Sequence, residues 1–146
     1  APLAASFALP DRPRLPGRLL VFKLGGKDTA PAYPKPVPRT IDLTAVSTTG
    51  DAARGKVAYH QNCTVCHSPN ASGTYLPDLK TSPMITTAEN FKSVVIDGAL
   101  QSRGMVSFAR FLTPAQAEDI RAYIISEARW AQGAKAPHRP EAQVIP

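Results

Sequence analysis

Both cysteines of this 146-residue chain lie in one short stretch, Cys63-Thr64-Val65-Cys66-His67. This spacing is typical of the covalent attachment of a c-type haem. The two intervening residues let one helical turn present both sulfurs to the same edge of a porphyrin, where the thiols add to its vinyl groups. His67 then lies beneath the metal, where an imidazole nitrogen can be the proximal ligand of the iron. The stretch predicts one haem c per chain, attached through Cys63 and Cys66.

Two other kinds of site also use a pair of cysteines separated by two residues. A zinc site would need two more ligands, and the chain has no second cysteine pair, while its other histidines, His60 and His138, are far apart in the sequence. A redox-active dithiol normally follows a strand in a βαβ unit, and no alternating strand and helix pattern surrounds residue 63. We therefore favour haem attachment and keep the dithiol and structural roles as alternatives.

The composition limits the classes of protein to which the chain can belong. Hydrophobic residues make up 43% of it without any apolar run of membrane-spanning length, so we expect a soluble protein with no transmembrane segment. The net charge of +6 lies in the flanks, because residues 51–128 contain seven basic and seven acidic side chains. No basic stripe with interleaved aromatics indicates a nucleic-acid partner. The chain starts with neither an initiator Met nor a secretory signal, so we expect Ala1 to be a processed or cut end.

Proline and glycine divide the chain into four segments. Residues 1–30 contain the apolar run 17–26, which glycines close and which predicts a β-strand in an extended arm. Residues 31–49 begin with four prolines in eight positions and are predicted to be an extended linker. Residues 50–130 show helical patterning and form the predicted domain. Residues 131–146 are predicted to be a poorly ordered tail.

Three helices are predicted within residues 50–130. The first covers Asp51 to Asn62, directly before the cysteine stretch. The second begins at Thr86-Thr87-Ala88-Glu89, which has capping-box spacing, and ends at Asp97-Gly98. The last begins at Thr113-Pro114-Ala115-Gln116, with a capping hydroxyl and a proline in the first turn, and continues as an apolar stripe to about Ala128.

This order of helix, cysteine motif, loop, helix, loop and capped helix resembles the class I cytochromes c over roughly residues 50–130. The resemblance implies a mainly α fold of three to five helices around haem. It also implies that the first and last helices cross, so that Gly55 and Tyr59 would meet Tyr123 and Ile124. Because haem is attached to this motif after export, the resemblance implies a periplasmic location.

The iron needs a sixth ligand, and the chain offers two methionines. Met105 lies between the second and last predicted helices, in the loop from which the class I fold supplies its axial methionine. Gly104 before it would allow the backbone to approach the ring closely. Met84 is the alternative ligand. If it does not bind the iron, we expect it to be a hydrophobic residue of a loop or of the core. His60 and His138 are remoter options.

The resemblance also implies roles for residues around the ring. The carbonyl of Pro77 would accept the second N–H of the proximal histidine and fix its orientation, and Leu79 would pack on the ring. Lys80 and Arg103 would neutralise haem propionates or be solvated surface charges. Four further side chains are expected to line the haem pocket: Ile96, Leu100, Phe108 and Leu112.

A more particular resemblance covers residues 59–110. The segments Leu76-Pro77-Asp78-Leu79-Lys80, Val94–Leu100 and Arg103–Phe108 look like the C-terminal cytochrome domain of quinohaemoprotein alcohol dehydrogenases, although that family usually has Arg where Lys80 stands. In those enzymes an eight-bladed β-propeller that holds pyrroloquinoline quinone (PQQ) precedes a proline-rich linker and this domain. Residues 17–26 resemble the closing strand of that propeller. The quinone, its calcium or lanthanide ion and the catalytic acid would then lie upstream, and this chain would have no catalytic site of its own.

Three functions remain open on these grounds. The first is a haem c electron-transfer domain that accepts electrons from reduced PQQ in a propeller dehydrogenase domain and passes them to an external acceptor, namely a small blue copper protein, a cytochrome or a quinone. The second is a free-standing soluble periplasmic cytochrome c that carries electrons by diffusion. The third is a haem enzyme or ligand sensor with an open iron site.

Overall fold

The computed structural model describes residues 21, 23–27, 29, 39–73 and 76–133. Most of the predicted strand arm and the predicted linker as far as residue 38 lie outside these ranges, as does the tail beyond residue 133. The chain divides into two compact units, Ala1–Pro38 and Arg39–Pro146. In the described part of the first unit, Gly26 donates its N–H to the carbonyl of Lys23 at 3.0 Å, which makes a turn at the end of the predicted strand.

The described part of the second unit is built from helices. It contains α1 Ala52–Asn62, α2 Thr64–His67, α3 Ala88–Val95 and α4 Pro114–Ala131. Three short 3₁₀ turns lie between them: Leu79–Thr81, Pro83–Ile85 and Gln101–Arg103. No β-strand occurs in the ranges that the structure describes, and the prediction of a mainly α fold is confirmed. Within the same ranges, no helix is both long enough and apolar enough to cross a membrane.

Side-chain caps explain where the longer helices begin. Asp51 accepts a hydrogen bond from the α1 backbone, and Thr113 forms a capping box with Gln116 at the start of α4. α3 begins one residue later than its sequence signal predicts, because Thr87 and not Thr86 is the cap. The Thr86 hydroxyl instead donates to a carbonyl of the preceding 3₁₀ turn, at 2.7 Å.

The contact between α1 and α4 depends on one glycine. A Cβ atom on Gly55 would lie 1.8 Å from the carbonyl oxygen of Asp119, so the two helix backbones meet there directly. One turn further on, the buried ring of Tyr59 lies 5.1 Å from that of Tyr123, measured between ring centroids, and Ile124 is buried in the same core. The predicted crossing of the first and last helices is therefore present, and it fixes the end of α1 from which the cysteine motif continues. Gly55, however, meets the α4 backbone at Asp119 and Ile120, one turn before the predicted Tyr123 and Ile124.

The segment before α1, residues 41–51, packs along α4; we call it the strap. Two of its apolar side chains, Leu43 and Val46, are buried in the core, and Ile41 packs against that core partly buried. The guanidinium of Arg129 on α4 donates to the carbonyl of Val46 at 2.6 Å and to that of Leu43 at 3.4 Å. Residues 41–49, which composition places in the linker, thus pack on the helical unit in the structure.

A buried ion pair ties the strap to α4 more tightly. Arg121, only 2% exposed, donates from Nε and Nη2 to the two carboxylate oxygens of Glu118 at 2.8 and 2.7 Å. The same guanidinium donates to the carbonyls of Ile85 and Ser47, and the Thr48 hydroxyl donates to Glu118 at 2.8 Å. Every described bond is charge-assisted, which is what a buried cation needs to offset its lost hydration.

Candidate haem-binding site

The cysteine motif continues directly from α1. The Cys63 N–H still donates to an α1 carbonyl, that of Tyr59, at 2.8 Å, and Cys63 in turn caps the short helix α2. Within that turn, Cys66 and His67 both donate their N–H groups to the carbonyl of Cys63. One helical turn thus presents both sulfurs, and both cysteines are free thiols, Cys63 partly buried and Cys66 exposed. This is the arrangement that covalent attachment to one ring edge requires.

The environment of Cys63 argues against a redox dithiol. Burial raises the pKa of the Cys63 thiol to about 12, with a smaller contribution from neighbouring Cys66. A dithiol active site works through a thiolate, and its first cysteine has a lowered pKa. A thioether carries no charge, so the partly apolar surroundings of Cys63 suit haem attachment and disfavour the dithiol alternative.

The burial and the hydrogen bond of His67 suit a metal ligand, because they fix the orientation and the tautomer of its ring. It is 7% exposed, and its Nδ1 lies 3.3 Å from the carbonyl of Pro77. Because a carbonyl can only accept, the contact fixes the proton on Nδ1 and leaves the Nε2 lone pair for a metal. Burial lowers the pKa of the His67 imidazole, while the bond to Pro77 opposes this, and the neutral form is the one that binds metals. The Pro77 carbonyl thus lies within hydrogen-bond distance of the imidazole that the resemblance implies it would orient.

The loop between His67 and Pro77 is closed by backbone bonds that the sequence did not indicate. Gly73 donates its N–H to the carbonyl of His67 at 3.2 Å, and Leu79 donates to that of Ala71 at 2.9 Å. Gly73 has a φ of +54°, and a Cβ atom there would lie 2.4 Å from a carbonyl oxygen of the returning chain. A glycine in a loop is a weak signal, so only the structure identifies Gly73 as the residue that lets the loop return.

Met105 lies in a loop whose backbone is held on both sides. Its own N–H donates to the carbonyl of Leu100 at 3.2 Å. Beyond it, the Ser107 hydroxyl donates to the carbonyl of Ile96 at 2.5 Å, and the Phe108 N–H donates to the end of α3 at 2.8 Å. Gly104 has a φ of +92°, and a Cβ atom there would have no other atom within 4 Å. The turn therefore favours glycine for its backbone conformation and not for space.

The two methionines differ in their surroundings. Met105 is partly buried and belongs to a set of partly buried hydrophobic residues that pack on the core together with Cys63. Met84 lies in the 3₁₀ turn Pro83–Ile85, where its N–H donates to the Ser82 hydroxyl, and it is not in that set as described. Packing of Met105 on the core and its position in the loop between α3 and α4 favour it over Met84, and its role as sixth ligand stays a prediction.

The other predicted site residues fall into two groups. Leu79, Ile96 and Phe108 belong to the same partly buried set as Met105 and Cys63, Leu100 is partly buried, and Leu112 is buried in the core. This set keeps exposed apolar surface, which fits a large apolar ring. The cations are arranged differently, because Lys80 donates to the Ser72 hydroxyl at 2.6 Å, while Arg103 is exposed at the end of a 3₁₀ turn. Their contact with propionates stays a prediction.

The chain resembles known proteins in the same residues. A family model described as cytochrome c oxidase, cbb3-type, subunit III matches residues 50–124. The chain is 39% identical over 113 residues to the quinohemoprotein alcohol dehydrogenase ADH IIB of Pseudomonas putida, which covers 75% of this chain and 16% of that protein.

Two further relatives match to a similar extent. The dehydrogenase subunit of alcohol dehydrogenase (quinone) of Gluconobacter oxydans is 39% identical over 114 residues, 76% of this chain and 15% of its own length. Lupanine 17-hydroxylase [cytochrome c] of a Pseudomonas species is 35% identical over 122 residues, 77% of this chain and 16% of that protein. The chain thus spans about a sixth of the length of these relatives.

The match of the family model covers more than half of the chain and includes α1, the cysteine motif, the loop of Met105 and most of α4. The geometry agrees with it, because one turn presents two thiols and a buried imidazole whose Nδ1 is already bonded. The chain therefore belongs to the family of cytochrome c domains described as cytochrome c oxidase, cbb3-type, subunit III, and its cofactor is haem c.

Proposed function

We propose that this chain is the electron-transfer domain of a PQQ-dependent alcohol dehydrogenase. Cys63 and Cys66 would hold the haem, and His67 and Met105 would be its axial ligands. When bound, haem c supplies a one-electron iron couple. Two ligands from the protein leave no coordination position for a substrate, which suits a relay of electrons and not a reaction centre.

The observation that carries the proposal is the hydrogen bond between His67 Nδ1 and the Pro77 carbonyl. It orients the imidazole, fixes its tautomer and raises its basicity as a ligand before any partner is involved. The pinned backbone on both sides of Met105 supports a second fixed ligand. A rigid pair of ligands keeps reorganisation small when the iron changes its charge, which is what fast electron transfer needs.

The relatives support the choice of partner. Several are named as quinohemoprotein alcohol dehydrogenases or as dehydrogenase subunits of alcohol dehydrogenase (quinone), and this chain matches a small part of each. We propose that electrons come from reduced PQQ in an upstream propeller domain, with its calcium or lanthanide ion, in the periplasm. They would leave to a small blue copper protein, a cytochrome or a quinone.

The ligand set is tested by the near-infrared spectrum of the ferric protein. A methionine sulfur on ferric haem gives a weak charge-transfer band, which should be present in the unmutated protein. We expect Met105→Ala to abolish the band and Met84→Ala, the matched control, to retain it. Loss of the band in Met84→Ala alone would transfer the ligand role to Met84. A band absent from the unmutated protein would favour the open-site haem enzyme or sensor.

The dehydrogenase context needs a separate experiment on the intact source protein. We expect the haem-stained polypeptide that contains this sequence to be several-fold larger than this chain and to copurify with PQQ, and its haem to be reduced when a primary alcohol is added. A haem-stained polypeptide of about this chain's own size, without quinone, would instead support the free-standing cytochrome c carrier.

A further inference from the structure

Two tyrosine hydroxyls meet the carbonyls of three consecutive residues, of which the first is the proposed ligand His67. The Tyr59 hydroxyl, on α1, donates to the carbonyl of Ser68 at 2.7 Å and lies 3.2 Å from that of His67. The Tyr123 hydroxyl, on α4, donates to the carbonyl of Pro69 at 3.0 Å. The two helices that cross at Gly55 thus both hold the same turn, and we call residues 67–69 with these two hydroxyls the tyrosine clamp.

Both tyrosines are placed so that these hydrogen bonds matter. Tyr59 is 0% and Tyr123 5% exposed, so their hydroxyl groups have little access to water. A buried hydroxyl without an acceptor is costly, and each of these has a backbone acceptor. Burial also raises the pKa of Tyr59, which keeps its proton in place as a donor. The ring packing between the two side chains then fixes where the hydroxyls lie.

The turn that the tyrosines hold has an unfavourable backbone conformation. Ser68 has φ 67° and ψ 158°, a region that residues other than glycine rarely occupy. Ala71, three residues later, also has a positive φ, of 58°. Such conformations persist only where the surrounding contacts impose them. The hydroxyls of Tyr59 and Tyr123 are contacts of this kind, because each anchors a carbonyl within the turn.

The same turn also affects the position of the Pro77 carbonyl, which orients the His67 ring. It leads into the loop in which Gly73 donates back to the His67 carbonyl and Leu79 donates to that of Ala71. These bonds return the chain so that the Pro77 carbonyl reaches His67 Nδ1. A shift in the turn would therefore move the backbone that carries the imidazole and the acceptor that sets its ring orientation.

We propose that Tyr59 and Tyr123 are positioning residues for the axial ligand, acting through the carbonyls of residues 67–69 to set the orientation of the His67 ring. The inference rests on the proposed function, because it takes His67 as the ligand of the haem iron. Neither tyrosine is assigned a contact with haem, and the role differs from that of Pro77, which bonds the ring itself.

The test uses the full haem-loaded chain with Tyr59→Phe, Tyr123→Phe and the double variant. Phenylalanine keeps each ring and removes one hydroxyl. Thr86→Val is the matched control, because it removes a hydroxyl that donates to a carbonyl away from the cysteine motif. Two readouts are needed: hydrogen exchange of the Gly73 and Leu79 amides, and the paramagnetic shifts of the haem methyl groups in the ferric protein, which report the orientation of the histidine ring.

We expect exchange at both amides to become about fivefold faster in Tyr123→Phe, at least fivefold faster in Tyr59→Phe and roughly 25-fold or more faster in the double variant, from the usual net contribution of one hydrogen bond. The haem methyl shifts should change in the same variants in which exchange becomes faster. Thr86→Val should leave both readouts as in the unmutated protein. Tyr59→Phe should have the larger effect of the two single variants, because its hydroxyl reaches two carbonyls.

Three outcomes would overturn the inference. Exchange within twofold of the unmutated protein in the double variant would show that the hydroxyls do not hold the turn. Faster exchange with unchanged methyl shifts would show a purely structural role. If the unmutated protein carries no covalent haem, the proposed function itself fails and the positioning role fails with it, an outcome distinct from unchanged shifts in a haem-loaded protein.

Discussion

The two sides of the candidate haem site are held in different ways. On the proximal side, which we define as residues 63–79, the imidazole of His67 is buried and hydrogen-bonded, and the turn behind it accepts bonds from two helices. On the distal side, the loop of residues 97–112, the bonds described around Met105 hold the backbone. The Met105 side chain itself packs, partly buried, among hydrophobic residues.

The chemistry of the two proposed ligands explains this difference. An imidazole has two distinct nitrogens and a plane, so its tautomer and orientation must be set by a hydrogen bond. A thioether is flexible and has no N–H, so it needs only a loop that delivers it at the right distance. The proximal side is therefore organised by the fold alone, whereas the distal side relies on the position of its loop.

The largest effect is expected from removing the two proposed ligands in turn. His67→Ala should lower the yield of covalently bound haem by roughly tenfold or more, because the organised proximal side loses the group it holds. Met105→Ala should attach haem at close to the normal yield and lose only the methionine charge-transfer band. Haem staining of denaturing gels, normalised to protein, measures the yield. Equal yields from both variants would remove the distinction between the two sides.

The second test compares a glycine of α1, the helix that leads into the proximal side, with a glycine of the distal loop. Gly55→Ala puts a Cβ atom 1.8 Å from a backbone oxygen of α4, and because the backbone must move we expect a loss of about 3 kcal/mol or more in the free energy of unfolding. Gly104→Ala meets no atom within 4 Å, and its cost of about 1–2 kcal/mol comes only from the positive φ. Urea unfolding gives both values.

Gly55 supports the helix that carries the cysteine motif, whereas Gly104 serves only the loop before Met105. A reversed order of the two costs would therefore contradict the view that the framework of the proximal side is the more rigid one.

The sequence predicts the parts of this site that depend on local pattern. The cysteine motif and the cap of α4 follow from spacing and from helix chemistry, and the structure contains them. The crossing at Gly55 and Tyr59, which the structure also contains, was implied by the resemblance to class I cytochromes c. The position of Pro77 was available only through the resemblance to class I cytochromes c. It is nevertheless where the structure places an acceptor for the imidazole.

The features that the sequence did not reveal depend on partners far away along the chain. The strap looks like linker because its few apolar residues show neither a helical nor a strand period. The cations that hold it, Arg121 and Arg129, lie 74 to 86 residues further on. A buried arginine in the middle of a helix also contradicts the usual expectation that charges are exposed. The tyrosine clamp could not be predicted for a similar reason. The sequence pattern indicates that a tyrosine ring belongs to the core, but it does not show which acceptor the hydroxyl reaches.

Acid should affect partly buried and exposed carboxylates differently. The Arg121 guanidinium holds the pKa of Glu118 below its ordinary value of 4.5, with smaller contributions from the hydroxyl and N–H donors of the strap. A lowered folded-state pKa means that the stabilisation is complete above the ordinary value and is lost as the pH falls through the folded-state pKa. Glu118→Gln should therefore cost about 2 kcal/mol at pH 7, and the difference from the unmutated protein should shrink below about pH 4.5.

The matched control is Asp97→Asn, at the start of the distal loop. Asp97 pairs with Lys92 at 2.8 Å, but both side chains are about half exposed, so solvent screens the pair. Thermal unfolding between pH 3 and pH 7 should show only a small cost for this variant. A cost for Asp97→Asn as large as that for Glu118→Gln would show that the distal loop depends on charge as much as the strap and α4 do.

The smallest effect has opposite signs on the two sides. Ser68→Gly should raise the free energy of unfolding by about 1 kcal/mol, because the relief of an unfavourable backbone conformation, worth about 1–3 kcal/mol, exceeds the entropy cost of glycine. Ala109→Gly, in the distal loop and without a positive φ, should lower it by roughly 0.5–1 kcal/mol. Urea unfolding of both variants gives the comparison.

If Ser68→Gly destabilises the protein as much as Ala109→Gly, the backbone of Ser68 stores no strain and the proximal turn needs no clamp. If it stabilises the protein, the natural serine maintains a strained turn that the hydroxyls of Tyr59 and Tyr123 must hold. In that case Tyr59→Phe should cost less in a Ser68→Gly background than alone, because a glycine turn keeps its shape with fewer contacts.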